Sequence, residues 1–93
     1  MTETGLDKVK ITVQSVANYC QAGHCVGQEI IVDNIALSAY LCPHALHTLW
    51  PYVQVLQYGG KFPWGDEDAT AIACPDPDNL VRFELRRIKK EDE

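Results

Sequence analysis

One stretch, Leu41 to Gly60, carries a sustained helical period, and it limits what the rest of the chain can form. Counting from Cys42, the apolar residues Ala45, Leu46, Leu49, Trp50, Val53 and Leu56 recur at the spacing of an amphipathic helix that faces a core. A wheel at about 100° per residue puts Cys42 near the centre of that stripe and turns His44 and His47 toward solvent. Pro43 suits the first helical position, where its missing N–H is not needed, and that makes Cys42 the expected N-cap. Pro51 removes a hydrogen bond to the His47 carbonyl and crowds it, so a kink, or a break into two short helices, is expected near Trp50. Gly59-Gly60 then ends the helix, one glycine supplying the left-handed C-terminal conformation.

The flanking segments read as strands. Lys8 to Val16 alternates, with Val9, Ile11, Val13 and Val16 apolar and the period breaking after Ser15. Gln28 to Val32 is a second strand, followed by a turn at Asp33-Asn34. Ile35 to Tyr40 fits either a short third strand or the approach to the helix. After a loop over Lys61 to Asp68, whose Phe62 and Trp64 are expected to lie on the core, Thr70 to Cys74 is a short strand. The breaker-rich turn Pro75 to Asn79 joins it to Leu80–Arg86, in which Val81, Phe83 and Leu85 face in while Arg82, Glu84 and Arg86 face out. The sum is an α+β fold: a small antiparallel sheet of four or five strands with one kinked or broken helical segment packed on one face.

With 93 residues the chain has the size of one domain, 1–93, with frayed ends expected at 1–7 and 89–93. The net charge of −5 argues against nonspecific nucleic-acid binding, which draws its affinity from neutralised phosphates. Arg82, Arg86, Arg87, Lys89 and Lys90 do cluster, but Glu84, Glu91, Asp92 and Glu93 interleave with or follow them, so they read as a solvated strand face with a charged tail. No apolar run approaches the roughly 20 residues of a membrane span. The N-terminus lacks the basic-then-apolar form of a secretion signal, so a cytoplasmic location is expected, with the cysteines reduced.

Those cysteines are where chemistry can sit. Cys20, Cys42 and Cys74 are expected in a loop, at a helix start and at a strand end, places that can converge at one edge of a sheet. Zinc takes four Cys or His ligands and iron–sulfur clusters take cysteine thiolates, so these three with His24, or an exogenous group, as the fourth ligand form a candidate metal site. No C-x-x-C is present, which removes the zinc-ribbon pair and the thioredoxin motif. Cys42 and Cys74 each precede proline, which biases the cysteine backbone toward an extended form. Cys42 also sits where a helix N-terminus favours the thiolate, so it is the candidate nucleophile of a thiol-based redox or catalytic protein. Cys25 is the weakest candidate. Against both stands the reading that the thiols are small apolar filler in a noncatalytic subunit, in which Phe62, Trp64 and the free sheet edges bury against a protein partner or a second copy. His44 and His47 share a helix face, but one opposed to Cys42. Asp66, Glu67, Asp68, Asp76 and Asp78 lie in turns without the glycine and terminal glutamate of a calcium loop.

The series Cys20-x-x-Gly23-His24-x-x-Gly27, Cys42-Pro43, Pro51-Tyr52, Gly59-Gly60-x-Phe62-Pro63-Trp64 and Cys74-Pro75-Asp76, ahead of Val81-x-Phe83-x-Leu85, resembles a family of small bacterial and archaeal proteins of about this length whose function is unassigned. The likeness runs from Lys8 to Ile88. It implies that Cys20, Cys42 and Cys74 match the cysteines of the family while Cys25 is an addition of this chain, and that the Gly-His of the loop varies among members. The resemblance implies no reaction.

Overall fold

Alternating apolar residues place Lys8–Val16 (β1) at the middle of the sheet, where its inner face is buried on both flanks. The structure is a computed structural model in which residues 6–20 and 22–89 are described. After β1 come Glu29–Asp33 (β2), Ala36–Leu37 (β3), the helix Pro43–Gln57 (α1), Ala69–Ala73 (β4) and Val81–Ile88 (β5). The strands form one antiparallel sheet in the order β3-β2-β1-β5-β4, and α1 packs on one face of it. The fold is therefore the expected α+β sheet-and-helix, with the ambiguous segment before the helix supplying the short edge strand β3.

Register explains why the pattern of β1 breaks. Val9 and Ile11 lie opposite Val32 and Ile30 of β2, while Ile11 and Val13 lie opposite Leu85 and Phe83 of β5. Between Val13 and Ser15 the pairing with β5 shifts, so Gln14 is an extra residue and the strand bulges there. The bulge resets the phase, bringing Val16 opposite Val81 and against the core. Onto this inner face α1 lays Ala45, Leu49, Val53 and Leu56, with Leu41 and Phe62 closing its two ends.

The helix runs unbroken through Pro51, so the expected break into two does not occur. An interior proline costs about 3 kcal/mol. Burying Leu49, Val53 and Leu56 completely returns about 1.5–3 kcal/mol each, which outweighs that cost. Pro51 and His47 are both exposed, so the carbonyl that loses its partner lies on the wet side. At the other end the Gly59 N–H donates to Leu56 O and the Gly60 N–H to Val55 O, with Gly59 at φ +82°, the two bonds of a Schellman cap.

Arg87 departs from the expected solvated basic face. Alternation along β5 turns it inward at the end of the sheet that receives the helix C-terminus, and its side chain is only 7% exposed. Its Nε donates to Leu56 O at 3.2 Å and pairs with Asp7 at 3.1 Å; its two terminal nitrogens donate to Asp68 and to Gly60 O. The guanidinium thus meets carbonyls at the negative end of α1, which has no basic residue in its own last turn. Asp7, assigned by sequence to a frayed end, is tied down by this pair and by its N–H bond to Gln57 O at 3.0 Å. The rest of that expectation, at residues 1–5 and 90–93, lies outside the described residues. Replacing Arg87 by Met should lower the unfolding free energy in urea by about 3–5 kcal/mol, because buried acceptors and carboxylates lose their partner. The same change at Arg86, on the solvent face beside Asp66 and Glu84, should cost no more than about 1 kcal/mol.

Candidate functional site

At the opposite end of the sheet four chain segments meet: the end of β1 with the loop beyond it, the start of α1, the end of β4 and the start of β5. They enclose a cleft of about 350 Å³ whose walls include Cys20, Cys42, Cys74, His24, His44 and Phe83. The three cysteines of the cleft are half-buried and unbridged. Cys25 is exposed and lies outside these walls, its thiol directed at Gly23 O at 3.7 Å.

Each thiol is set by its backbone. Cys74 follows β4 and exchanges with Val81 across the hairpin: its N–H donates to Val81 O at 2.8 Å, and its sulfur accepts the Val81 N–H at 3.2 Å. The turn beyond it is closed by Asp76, whose Oδ1 accepts the N–H groups of Asp78 and Asn79 at 3.0 and 3.2 Å. Those two donors, first Asp78 and then Asn79, hold the Asp76 carboxyl below the ordinary aspartate value of 3.8. Cys42 is the N-cap of α1, with φ −51° and ψ 129°, and its side chain makes no capping bond. Its thiol is left on the cleft wall.

His24 is the residue that joins these parts. It is only 5% exposed, lying near-parallel to Tyr40 at 5.7 Å and edge-on to Phe83 at 5.8 Å. The Cys42 N–H donates to its Nε2 at 3.1 Å, which assigns the proton to Nδ1, and Nδ1 then donates to Gln28 Oε1 at 2.7 Å. The ring therefore locks the loop that carries Cys20 onto the start of the helix. Both of its nitrogens are engaged in doing so. Turning His24 toward a metal would break two bonds and strip the Cys42 N–H of its acceptor, a cost of about 1–3 kcal/mol for the orphaned group.

The expected convergence of Cys20, Cys42, Cys74 and His24 on one place is thus present, but their arrangement is not that of an assembled metal centre. Among the described residues no group of three or more His, Cys, Asp or Glu side chains is placed to hold an ion. His44 lines the same cleft, although the helical wheel set it opposite Cys42. The wheel treats Cys42 as helical, whereas an N-cap has extended backbone and projects its side chain off the helical path. His47 lines a separate apolar groove with Ile35, Leu37, Leu46 and Trp50, so the two histidines face different clefts. Phe62 is buried as expected, and Trp64 stacks on it at 5.2 Å while remaining 52% exposed.

A small α+β domain with a thiol-lined cleft at one sheet end is the class that fold and site define. Comparison with protein-family models, with curated proteins and with solved structures finds no match.

Two measurements check this geometry. In His24→Ala the Cys42 amide should exchange with solvent deuterium faster than in the parent, with about 1–3 kcal/mol lost from stability. An NMR titration should place the Asp76 carboxyl below 3.8. Since its folded value is lowered, its contribution to stability is present above the unfolded value and is lost as pH falls through the folded one, loosening the turn after Cys74.

Proposed function

We propose that this protein is a small metal-binding module that holds zinc or an iron–sulfur cluster through Cys20, Cys42 and Cys74. One observation carries the reading: three cysteines from a loop, a helix start and a strand end, far apart in sequence, line a single cleft. The three are half-buried: each packs against the hydrophobic core and also reaches the wall of that cavity. Ligation requires their sulfurs to move from the positions they hold in this structure, and for Cys74 it gives up the Val81 N–H that its sulfur accepts at 3.2 Å. His24 enters as the residue that positions Cys42, since its own nitrogens are spent. The reading suits the reducing cytoplasm, where thiols stay available. The net charge of −5 does not favour nonspecific nucleic-acid binding, and among the described residues no helix is long and apolar enough to cross a membrane.

Protein purified without oxygen should carry stoichiometric zinc, or absorb broadly near about 400 nm as clusters ligated by cysteine do. Cys20→Ser, Cys42→Ser and Cys74→Ser should each lose the metal, and Cys25→Ser should keep it. Folded wild-type protein with metal at background, or a Cys25→Ser variant as depleted as the other three, would refute the proposal.

A second reading, a thiol-based redox or nucleophilic protein, is favoured by the uncapped sulfur of Cys42 at the positive end of a 15-residue helix. It requires that iodoacetamide label Cys42 of the metal-free protein ahead of Cys25, despite the greater exposure of Cys25. Labelling of Cys25 first would reject it.

A further inference from the structure

We propose that this protein forms a two-fold dimer in which β4 pairs antiparallel with β4 of a second copy, joining two five-stranded sheets into one. The proposal is independent of the metal reading, because it uses the edge of the sheet and not the cleft.

A sheet has two edges, and this fold treats them differently. β3 is two residues long, which leaves little for another strand to pair with. β4 is five residues long, and although 23% of the chain is charged, Ala69–Ala73 holds no charge and no proline. Shortness, charge and proline are the usual guards of a free edge, and β4 has none of them.

Hydrogen-bond phase shows which backbone groups lie there. Across the hairpin the Cys74 N–H donates to Val81 O, and the Arg87 N–H donates to Asp68 O, both at 2.8 Å. Thr70 and Ile72, in phase with Asp68 and Cys74, therefore turn their backbone groups to β5. Ala69, Ala71 and Ala73 turn theirs outward, past the last strand of the sheet. The Ala69 N–H bends back to Asp66 O at 3.4 Å, while the Ala69 carbonyl and both groups of Ala71 and Ala73 face no strand.

The strand is complementary to itself. A two-fold axis through Ala71 sets Ala71 opposite Ala71 of the second copy and Ala73 opposite Ala69, so the outward N–H and C=O groups meet. The alanines share the solvent face of the sheet with Arg82, Glu84 and Arg86 and put no bulk between the strands. On the helix face the same axis sets Thr70 opposite Ile72 of the second copy. Trp64 is tied to that Thr70: its Nε1 donates to Oγ1 at 3.0 Å, and with its polar atom satisfied the ring remains 52% exposed, an apolar surface for the arriving Ile72 to cover. The ends match as well. Antiparallel pairing brings the Asp76 turn of one copy toward the start of β4 in the other, where Lys61 and Lys89, each paired with Asp68, are more than half exposed.

Sedimentation of the full chain across concentration, with amide hydrogen exchange at both ends of that range, tests the proposal. The sedimentation coefficient should rise with concentration to that of a dimer and no further, since the edges left over are the two-residue β3 strands. In the dimer the Ala71 and Ala73 amides should exchange slowly; on dilution they should exchange as exposed amides do, with Thr70 and Ile72 protected throughout. Ala71→Lys, which sets like charges opposite each other at the axis, should abolish the dimer and leave the circular dichroism unchanged. Ala36→Lys, on the other edge, should keep the dimer. Should Ala71→Lys fail to fold, the wild-type exchange pattern decides alone. A chain that stays monomeric at its highest soluble concentration overturns the proposal, as does a dimer whose Ala71 and Ala73 amides exchange freely or that survives Ala71→Lys.

Discussion

The Arg87 guanidinium is the interaction on which the helix depends. α1 lacks an acidic residue in its first turn and a basic one in its last, its N-cap side chain makes no bond, and proline interrupts its interior hydrogen bonding. Little in the helix itself favours it. Its two ends are instead held by side chains from outside: Arg87 of β5 reaches Leu56 O and Gly60 O, and His24 of the loop takes the N–H of Cys42. A buried cation is costly unless paired and hydrogen-bonded, and here Asp7, Asp68 and the helix carbonyls meet those demands together. Among the described residues no buried side-chain nitrogen or oxygen lacks a partner.

Most of the architecture was legible because it is carried by period. Val9, Ile11 and Val13, then Val81, Phe83 and Leu85, alternate as strands must, and Ala45, Leu49, Val53 and Leu56 recur as a buried helix face does. What sequence hid were the places where one local rule overrules another. Arg87 continues the inward phase of β5, but charge clustering marked it as solvated. Pro51 breaks a helix by local rules, and the burial of Leu49, Val53 and Leu56 overrides them. The bulge at Gln14 moves Val16 back to the core and looks, from sequence, like the end of a strand.

The candidate site was legible in part for the same reason. Ends of elements are where loops can gather side chains, so Cys20, Cys42 and Cys74 were visible as a set, and Cys25 as apart from it. The positions of the two histidines were not visible. His24 sits in a glycine-flanked loop that gives no sign of its burial, since the ring depends on partners, Gln28 and Cys42, brought to it only by tertiary folding. The side on which His44 lies turned on whether Cys42 is inside or outside the helical path, a difference of one residue that reverses a wheel.

The walls of the cleft come from the loop after β1, the start of α1 and the hairpin of β4 and β5, so about two-thirds of the chain lies between its first wall residue, Tyr19, and its last, Phe83. Anything that bridges those walls closes two long loops at once. In the unfolded chain such closure is entropically expensive, and in the folded chain the fold has already carried that cost. Occupancy of the cleft is therefore coupled by mass action to the folding of the entire domain, and the resistance of the chain to unfolding becomes a measure of how full the cleft is.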